Sequence, residues 1–171
     1  MGTEIERKFL VRDDRWRDAA DEGTPFRQGY LVAQRERTVR VRLEGAKGVL
    51  TIKGPGPGSA RAEFEYAIPR EDAAEMLETL CLRPLIEKTR YRVEHEGLLW
   101  EVDVFAGANE GLVLAEVELE REDQEVVLPA WVDREVTGDR RYFNAYLVTC
   151  PFRDWRDSSR ISGSFAGKLS S

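Results

Sequence analysis

The chain is predicted to be an α+β protein in which an antiparallel sheet closes into a β-barrel around a charged interior, with peripheral helices. Seven segments alternate apolar and charged residues with the period of two of an extended strand. Nearly every charged face carries one sign, whereas a face made only for solubility mixes signs. The main helical signals are two stretches, Pro69 to Leu82 and Asp139 to Leu147. An ordinary antiparallel sheet buries its apolar face and leaves such charges in water. Faces sorted by sign instead suit a shared interior that receives a polyanion on its basic side and cations on its acidic side.

The first segment, Glu4-Ile5-Glu6-Arg7-Lys8, places Glu4, Glu6 and Lys8 on one face and Arg7 on the other. Adjacent carboxylates repel unless water or a cation separates them, and hard divalent cations take oxygen ligands. Asp13 to Glu22, with Trp16, Ala19 and Ala20 as its apolar points, reads as a short helix or an ordered connection ended by Gly23 and Pro25. Gln28 to Val32 reads as an edge strand. Thr38 to Leu43 presents Arg40 and Arg42 together, Gly45 to Gly48 turns the chain, and Val49 to Lys53 returns with Lys53 on the face of Thr51.

Gly54 to Ser59 lacks the Gly-Lys-Ser/Thr and helix start of a phosphate loop and reads as a mobile hairpin loop. Ala62 to Ile68 shows Glu63 and Glu65 on one face. The helix after Pro69 carries Glu71 and Asp72 in its first turn, with Ala73, Ala74, Leu77 and Leu80 at helical spacing. Lys88, Arg90 and Arg92 then share a strand face. After a turn at Glu96-Gly97, Glu101 and Asp103 lie opposite Trp100, Val102 and Val104, so Trp100 is expected to point outward. Gly107 to Gly111 is a loop, and Leu112 to Glu120 puts Glu116, Glu118 and Glu120 on one face. Pro129 to Val136 is ambiguous. Asp139 is the expected cap of the last helix, and both helices are expected to pack on the outer apolar faces.

At 171 residues the chain suits one domain, drawn as 1–150 with a loosely held or disordered tail at 151–171. A net charge of -6 argues against nucleic-acid binding through a general basic field. No run is long enough to span a membrane, and the charged start lacks a signal-peptide core, so a cytoplasmic protein is expected. Two cysteines and one histidine, Cys81, Cys150 and His95, make neither a disulfide framework nor a zinc site. His95, flanked by glutamates at a turn, reads as a surface residue.

These motifs resemble the CYTH superfamily of triphosphate tunnel metalloenzymes. Glu4-Ile5-Glu6-Arg7-Lys8 is similar to its Glu-x-Glu-x-Lys signature. The likeness runs in order through Thr38 to Arg42, Leu50 to Gly54, Glu63 to Glu65, Lys88 to Tyr91, Trp100 to Phe105 and Leu114 to Leu119. The resemblance implies an eight-stranded antiparallel tunnel, with short bacterial inorganic triphosphatases as the nearest members. It implies a polyphosphate clamp of Lys8, Arg40, Arg42, Lys53, Lys88 and Arg90. It also implies ligands for Mg2+ or Mn2+ at Glu4, Glu6, Glu116 and Glu118, with Glu63, Glu65 and Asp103 as further or water-mediated ones. Arg140 or Arg141 is a candidate to reach the phosphates from the C-terminal helix, and a homodimer is left open.

The implied reaction is metal-dependent hydrolysis of inorganic tripolyphosphate, with other organic triphosphates as poorer substrates. Lys53 and Lys88 are the candidate catalytic pair, because lysines facing each other across the tunnel would depress one another's pKa. A carboxylate such as Glu63, or activation at the cation itself, are the alternatives. Rival readings are a class IV-type adenylate cyclase, a thiamine triphosphatase needing an aromatic platform such as Tyr142 or Tyr146, and a non-catalytic polyphosphate-binding module.

Overall fold

The computed structural model describes residues 4–55 and 62–155. The Gly54 to Ser59 loop, beyond Pro55, and the tail from 156 onward lie outside the described residues. Nine antiparallel strands form one sheet: β1 Ile5–Val11, β2 Thr24–Ala33, β3 Thr38–Glu44, β4 Lys47–Lys53, β5 Glu63–Ile68, β6 Ile86–His95, β7 Leu98–Ala106, β8 Val113–Leu119 and β9 Val132–Glu135. Their order is β5-β4-β3-β2-β6-β7-β8-β1-β9. Two α-helices accompany them, α1 Arg70–Thr79 and α2 Asn144–Thr149. Among the described residues no helix is long and apolar enough to cross a membrane.

The alternating segments become strands with the expected faces, and the tight connections fall where turn residues stand. Glu96 and Gly97 both take positive φ, 48° and 76°, as a two-residue hairpin turn between β6 and β7 requires. Three expectations need correction. The sheet has nine strands rather than eight, and among the described residues no ladder joins its edges β5 and β9, so the eight-stranded closed barrel is not formed. The ambiguous stretch supplies the extra strand, because Val132 and Trp131 cover Phe9 and Trp100 on the outer face. Still, Lys53 on β4 reaches Glu4, just before β1, at 3.7 Å across five intervening strands, so the sheet curls until its far strands meet through side chains.

The second correction concerns β2. It is a ten-residue central strand paired with both β3 and β6, not an edge strand. Pro25 lies near its start, where a missing N–H is tolerated. The third concerns the C-terminal helix. Helix α1 covers Val41 and Leu43 on the outer face with Ala73 and Leu77, as expected. By contrast, Leu147 and Val148 of α2, with Tyr142, pack on Tyr30, Ile86, Phe105 and Leu114. Those four share strand faces with Gln28, Lys88, Asp103 and Glu116. The charged faces end in apolar residues, and α2 buries that end, plugging one end of the concave surface.

The remaining outer face is closed by the 3-10 turn Asp14–Ala19, which Asp13 caps and whose Trp16 stacks on Tyr91 at 5.0 Å. Trp100 faces outward and is fully buried against Phe9 and Trp131. Packing continues past Cys150 to Trp155, where the Phe152 amide donates to Asn109 Oδ1 and Trp155 meets Tyr142 edge-on.

Candidate functional site

The concave face divides into two walls. On β6, β7, β8 and β1 the antiparallel register sets Arg90 opposite Asp103 and Lys8 opposite Glu116. Asp103 is 0% exposed, accepting from Lys88 Nζ at 2.6 Å and from Arg90 Nε and Nη2 at 2.7 and 2.8 Å. Arg90 also reaches Glu101 and Glu116, and Lys8 Nζ lies 3.1 Å from Glu116. The Lys8 ammonium donates as well to the Tyr142 carbonyl at 3.2 Å, tying the clamp to the plug.

Charge and burial compete at each group. Burial opposes ionised Asp103, but Lys88 and Arg90 outweigh it and hold the carboxyl at about 2. Burial likewise opposes the Lys8 ammonium, which Glu116 and Glu6 nevertheless raise. Lys88 is lowered by burial, with Asp103 supporting the charge and Arg90 opposing it.

The second wall, β3 to β5, is under-neutralised. Among the described residues Arg40 makes one side-chain hydrogen bond, to Thr51 Oγ1 at 3.3 Å, while Arg42 reaches Glu44 at 3.4 Å and Glu65 at 4.0 Å. The Nε atoms of both arginines are buried without a hydrogen-bond partner among the described residues. Burial and then Arg40 lower the Arg42 guanidinium. Lys53 stands 3.7 Å from Glu4 and 3.6 Å from Glu63. Between the walls, the Phe26 ring carries Arg42, Lys88 and Arg90 at 5.3, 5.8 and 5.2 Å from its centroid. Buried guanidinium N–H groups without carboxylates are suited to bind an anion.

The acidic residues complement this. Glu6 forms no ion pair among the described residues, and its carboxyl is pushed up to about 8 by burial first, then by Glu116 and Glu4. A carboxylate crowded by two others in this way suits a bound cation. Among the described residues, no three His, Cys, Asp or Glu side chains already form a metal cage. Glu4 is held by Lys53 and Glu116 by Lys8 and Arg90, while Glu118 is exposed beside Glu6 in the register.

The candidate clamp and metal residues named from sequence fall on this face by alternation and register, while Arg7 lies on the outer face with Glu135. Carboxylates flank Lys53, and the chief influences on Lys88 are burial, Asp103 and Arg90. Asp103 spends both oxygens on cations. Arg141 is folded onto Asp139 and the Tyr142 and Trp155 rings, whereas Arg140 is exposed. Sequence reasoning missed Phe26, Gln28 and the Tyr142 carbonyl. Position 26 shares the face of 28 and 30, a signal visible only if the strand extends back to Thr24.

A curled antiparallel sheet with a plugged end and a concave face divided between buried arginines with spare N–H donors and crowded carboxylates marks a class of protein suited to receive a polyanion. The CYTH domain model matches residues 2–143, and the chain belongs to that family. It is 48% identical to the inorganic triphosphatase of Acetivibrio thermocellus over 92% of this chain and 100% of that one. Identity to the inorganic triphosphatase of Nitrosomonas europaea is 41%, over 85% and 97%. The crystal structure of the inorganic triphosphatase NE1496 matches with a TM-score of 0.63 at 37% identity, covering 86% of this chain and 95% of the other. The PH1012 protein of Pyrococcus horikoshii shares the fold at a TM-score of 0.54 and 17% identity, covering 70% and 80%.

Proposed function

We propose that this protein hydrolyses inorganic tripolyphosphate to pyrophosphate and phosphate in a reaction that requires a divalent cation. The observation that carries the reading is the pair of buried, unpartnered guanidinium Nε atoms of Arg40 and Arg42 beside Phe26. Buried N–H donors placed this way have hydrogen-bonding capacity left for an anion, although Glu44 and Glu65 partly offset the Arg42 charge. The names of the two relatives, each matched over nearly its whole length, support the reaction class.

Lys8, Arg40, Arg42, Lys53, Lys88 and Arg90 bind and straighten the phosphate chain, and their fixed positions stabilise the charge that builds as the bridging bond breaks. Glu4, Glu6, Glu116 and Glu118 would hold Mg2+ or Mn2+, with Glu63 and Glu65 nearby. The chemistry such a cation would supply there is neutralisation of phosphate charge and polarisation of a water for attack. Asp103 positions Lys88 and Arg90. Of the two candidate lysines we assign the proton-accepting role to Lys88, which burial depresses, and a clamp role to Lys53, which stands between carboxylates. The rate should then rise with pH as Lys88 loses its proton. An alkaline limb unchanged in both Lys53→Ala and Lys88→Ala would sink that assignment. The free thiols of Cys81 and Cys150 accord with a reducing, cytoplasmic setting.

Phosphate release from tripolyphosphate, ATP and thiamine triphosphate, each with magnesium and manganese, tests the reading. Tripolyphosphate should be cleaved fastest. Preference for a nucleotide or thiamine ester would favour the cyclase or thiamine readings, and no release from any compound would refute the enzyme.

A further inference from the structure

Gln28 stands on the concave face of β2 with Arg42 and Ile86 as its register partners on either side. It is 1% exposed, and among the described residues neither Nε2 nor Oε1 has a hydrogen-bond partner. A buried carboxamide without partners is costly, and an apolar side chain of similar volume would fill the position without that cost. Its neighbours indicate what such an amide could serve. Tyr30, two residues on, and Ile86 beside it belong to the apolar cluster closed by Leu147 and Val148. On the other side lie Arg42, itself with an unpartnered Nε, and Phe26 with its three cations.

Gln28 is therefore the polar group at the boundary between the cationic clamp and the plug. A phosphate chain lying along the clamp reaches its limit there, since Tyr142, Leu147 and Val148 occupy the space beyond. A carboxamide suits the end of such a chain better than another cation. Its Nε2 donates to an anionic oxygen, and its Oε1 accepts from a water or from the one oxygen that a terminal phosphoryl group can protonate near neutral pH. An internal phosphoryl group offers no such proton.

We infer that Gln28 is a substrate-positioning residue that receives the terminal phosphoryl group of the polyanion at the plugged end. This rests on the triphosphate reading above, and the experiment keeps the two separate. Thermal unfolding of full-length wild type, Gln28→Leu and Gln28→Asn is followed with and without tripolyphosphate in EDTA, alongside kcat and KM with magnesium. Without ligand, Gln28→Leu should melt at or above wild type, because it removes an unpaired buried amide. It should bind tripolyphosphate roughly tenfold more weakly, the effect of losing one hydrogen bond to a charged group, with KM rising by a similar factor. Gln28→Asn, which keeps the carboxamide, should recover part of the binding. If Gln28→Leu melts lower yet binds tripolyphosphate as wild type does, the residue is structural and the inference is overturned. A wild type that binds tripolyphosphate without cleaving it would refute the triphosphatase reading and leave the Gln28 contact intact. A wild type that neither binds tripolyphosphate in EDTA nor cleaves it with magnesium would overturn both.

Discussion

Replacing Asp103 by Asn tests how the clamp is held. The carboxylate is fully buried and accepts three charge-assisted hydrogen bonds, one from Lys88 and two from Arg90. Asn preserves the volume but leaves one oxygen and turns an N–H2 toward cations. Arg90 retains Glu101 and Glu116, so the uncompensated charge falls on Lys88, which is 4% exposed. Removing one partner of a buried ion pair costs about 3–5 kcal/mol. At about 2–4 °C per kcal/mol for a domain of this size, Tm should fall by about 6–20 °C. In the variant Lys88 can escape by losing its proton, so the deficit should shrink as pH rises toward the ordinary lysine range.

The wild-type acid limb follows from the same group. Asp103 ionises at about 2 when folded against 3.8 ordinarily, so its contribution is present above pH 3.8 and is lost as pH falls from there toward 2. Urea unfolding at several pH values measures both effects. In the double variant Asp103→Asn with Lys88→Met the cost should be well below the sum of the single costs. An Asp103→Asn protein within about 1 kcal/mol of wild type, with an unchanged acid limb, would refute this account of the clamp.

Four further outcomes follow. Glu6→Gln should abolish tripolyphosphate cleavage yet be at least as stable as wild type in EDTA at pH 8: the Glu6 carboxyl is raised to about 8 when folded, so its ionisation above the ordinary 4.5 erodes stability up to that pH. Arg42→Ala should lower kcat/KM by at least about tenfold, the loss of one charged hydrogen bond, with little change in Tm, as steady-state kinetics and thermal melts would show. Leu147→Ala, which opens a cavity in the plug, should cost about 2–5 kcal/mol by urea unfolding. Arg7→Ala removes a part-exposed bidentate pair with Glu135 on the outer face and should change stability by no more than about 1 kcal/mol, with activity unaltered.

Much of this was legible because alternation reports on faces. Lys8, Arg40, Arg42, Lys88 and Glu116 each reveal their side of a strand from their neighbours alone, and the Glu96-Gly97 turn joins β6 to β7 locally. Period two says nothing about which distant strands pair. The central place of β2 depends on long-range ladders to β3 and β6, which the local pattern around Phe26 and Gln28 does not carry. The charged faces were also treated as charged throughout. Tyr30, Ile86, Phe105 and Leu114 continue the same faces as apolar residues, and this invites α2 inward. The partners of Asp103 follow from register and rotamer, which place Arg90 and Lys88 on its two oxygens; composition holds no trace of that choice.

The central claim is that the concave face cleaves a linear triphosphate with cation help at Glu4 and Glu6. Phosphorus-31 NMR of tripolyphosphate incubated with wild type, Glu6→Gln and Arg42→Ala, with magnesium or manganese and again in EDTA, tests it most directly. The account predicts equal amounts of pyrophosphate and phosphate from wild type with metal, slower conversion by Arg42→Ala, and none by Glu6→Gln or in EDTA. Undiminished cleavage by Glu6→Gln, or cleavage by wild type in EDTA, would contradict it.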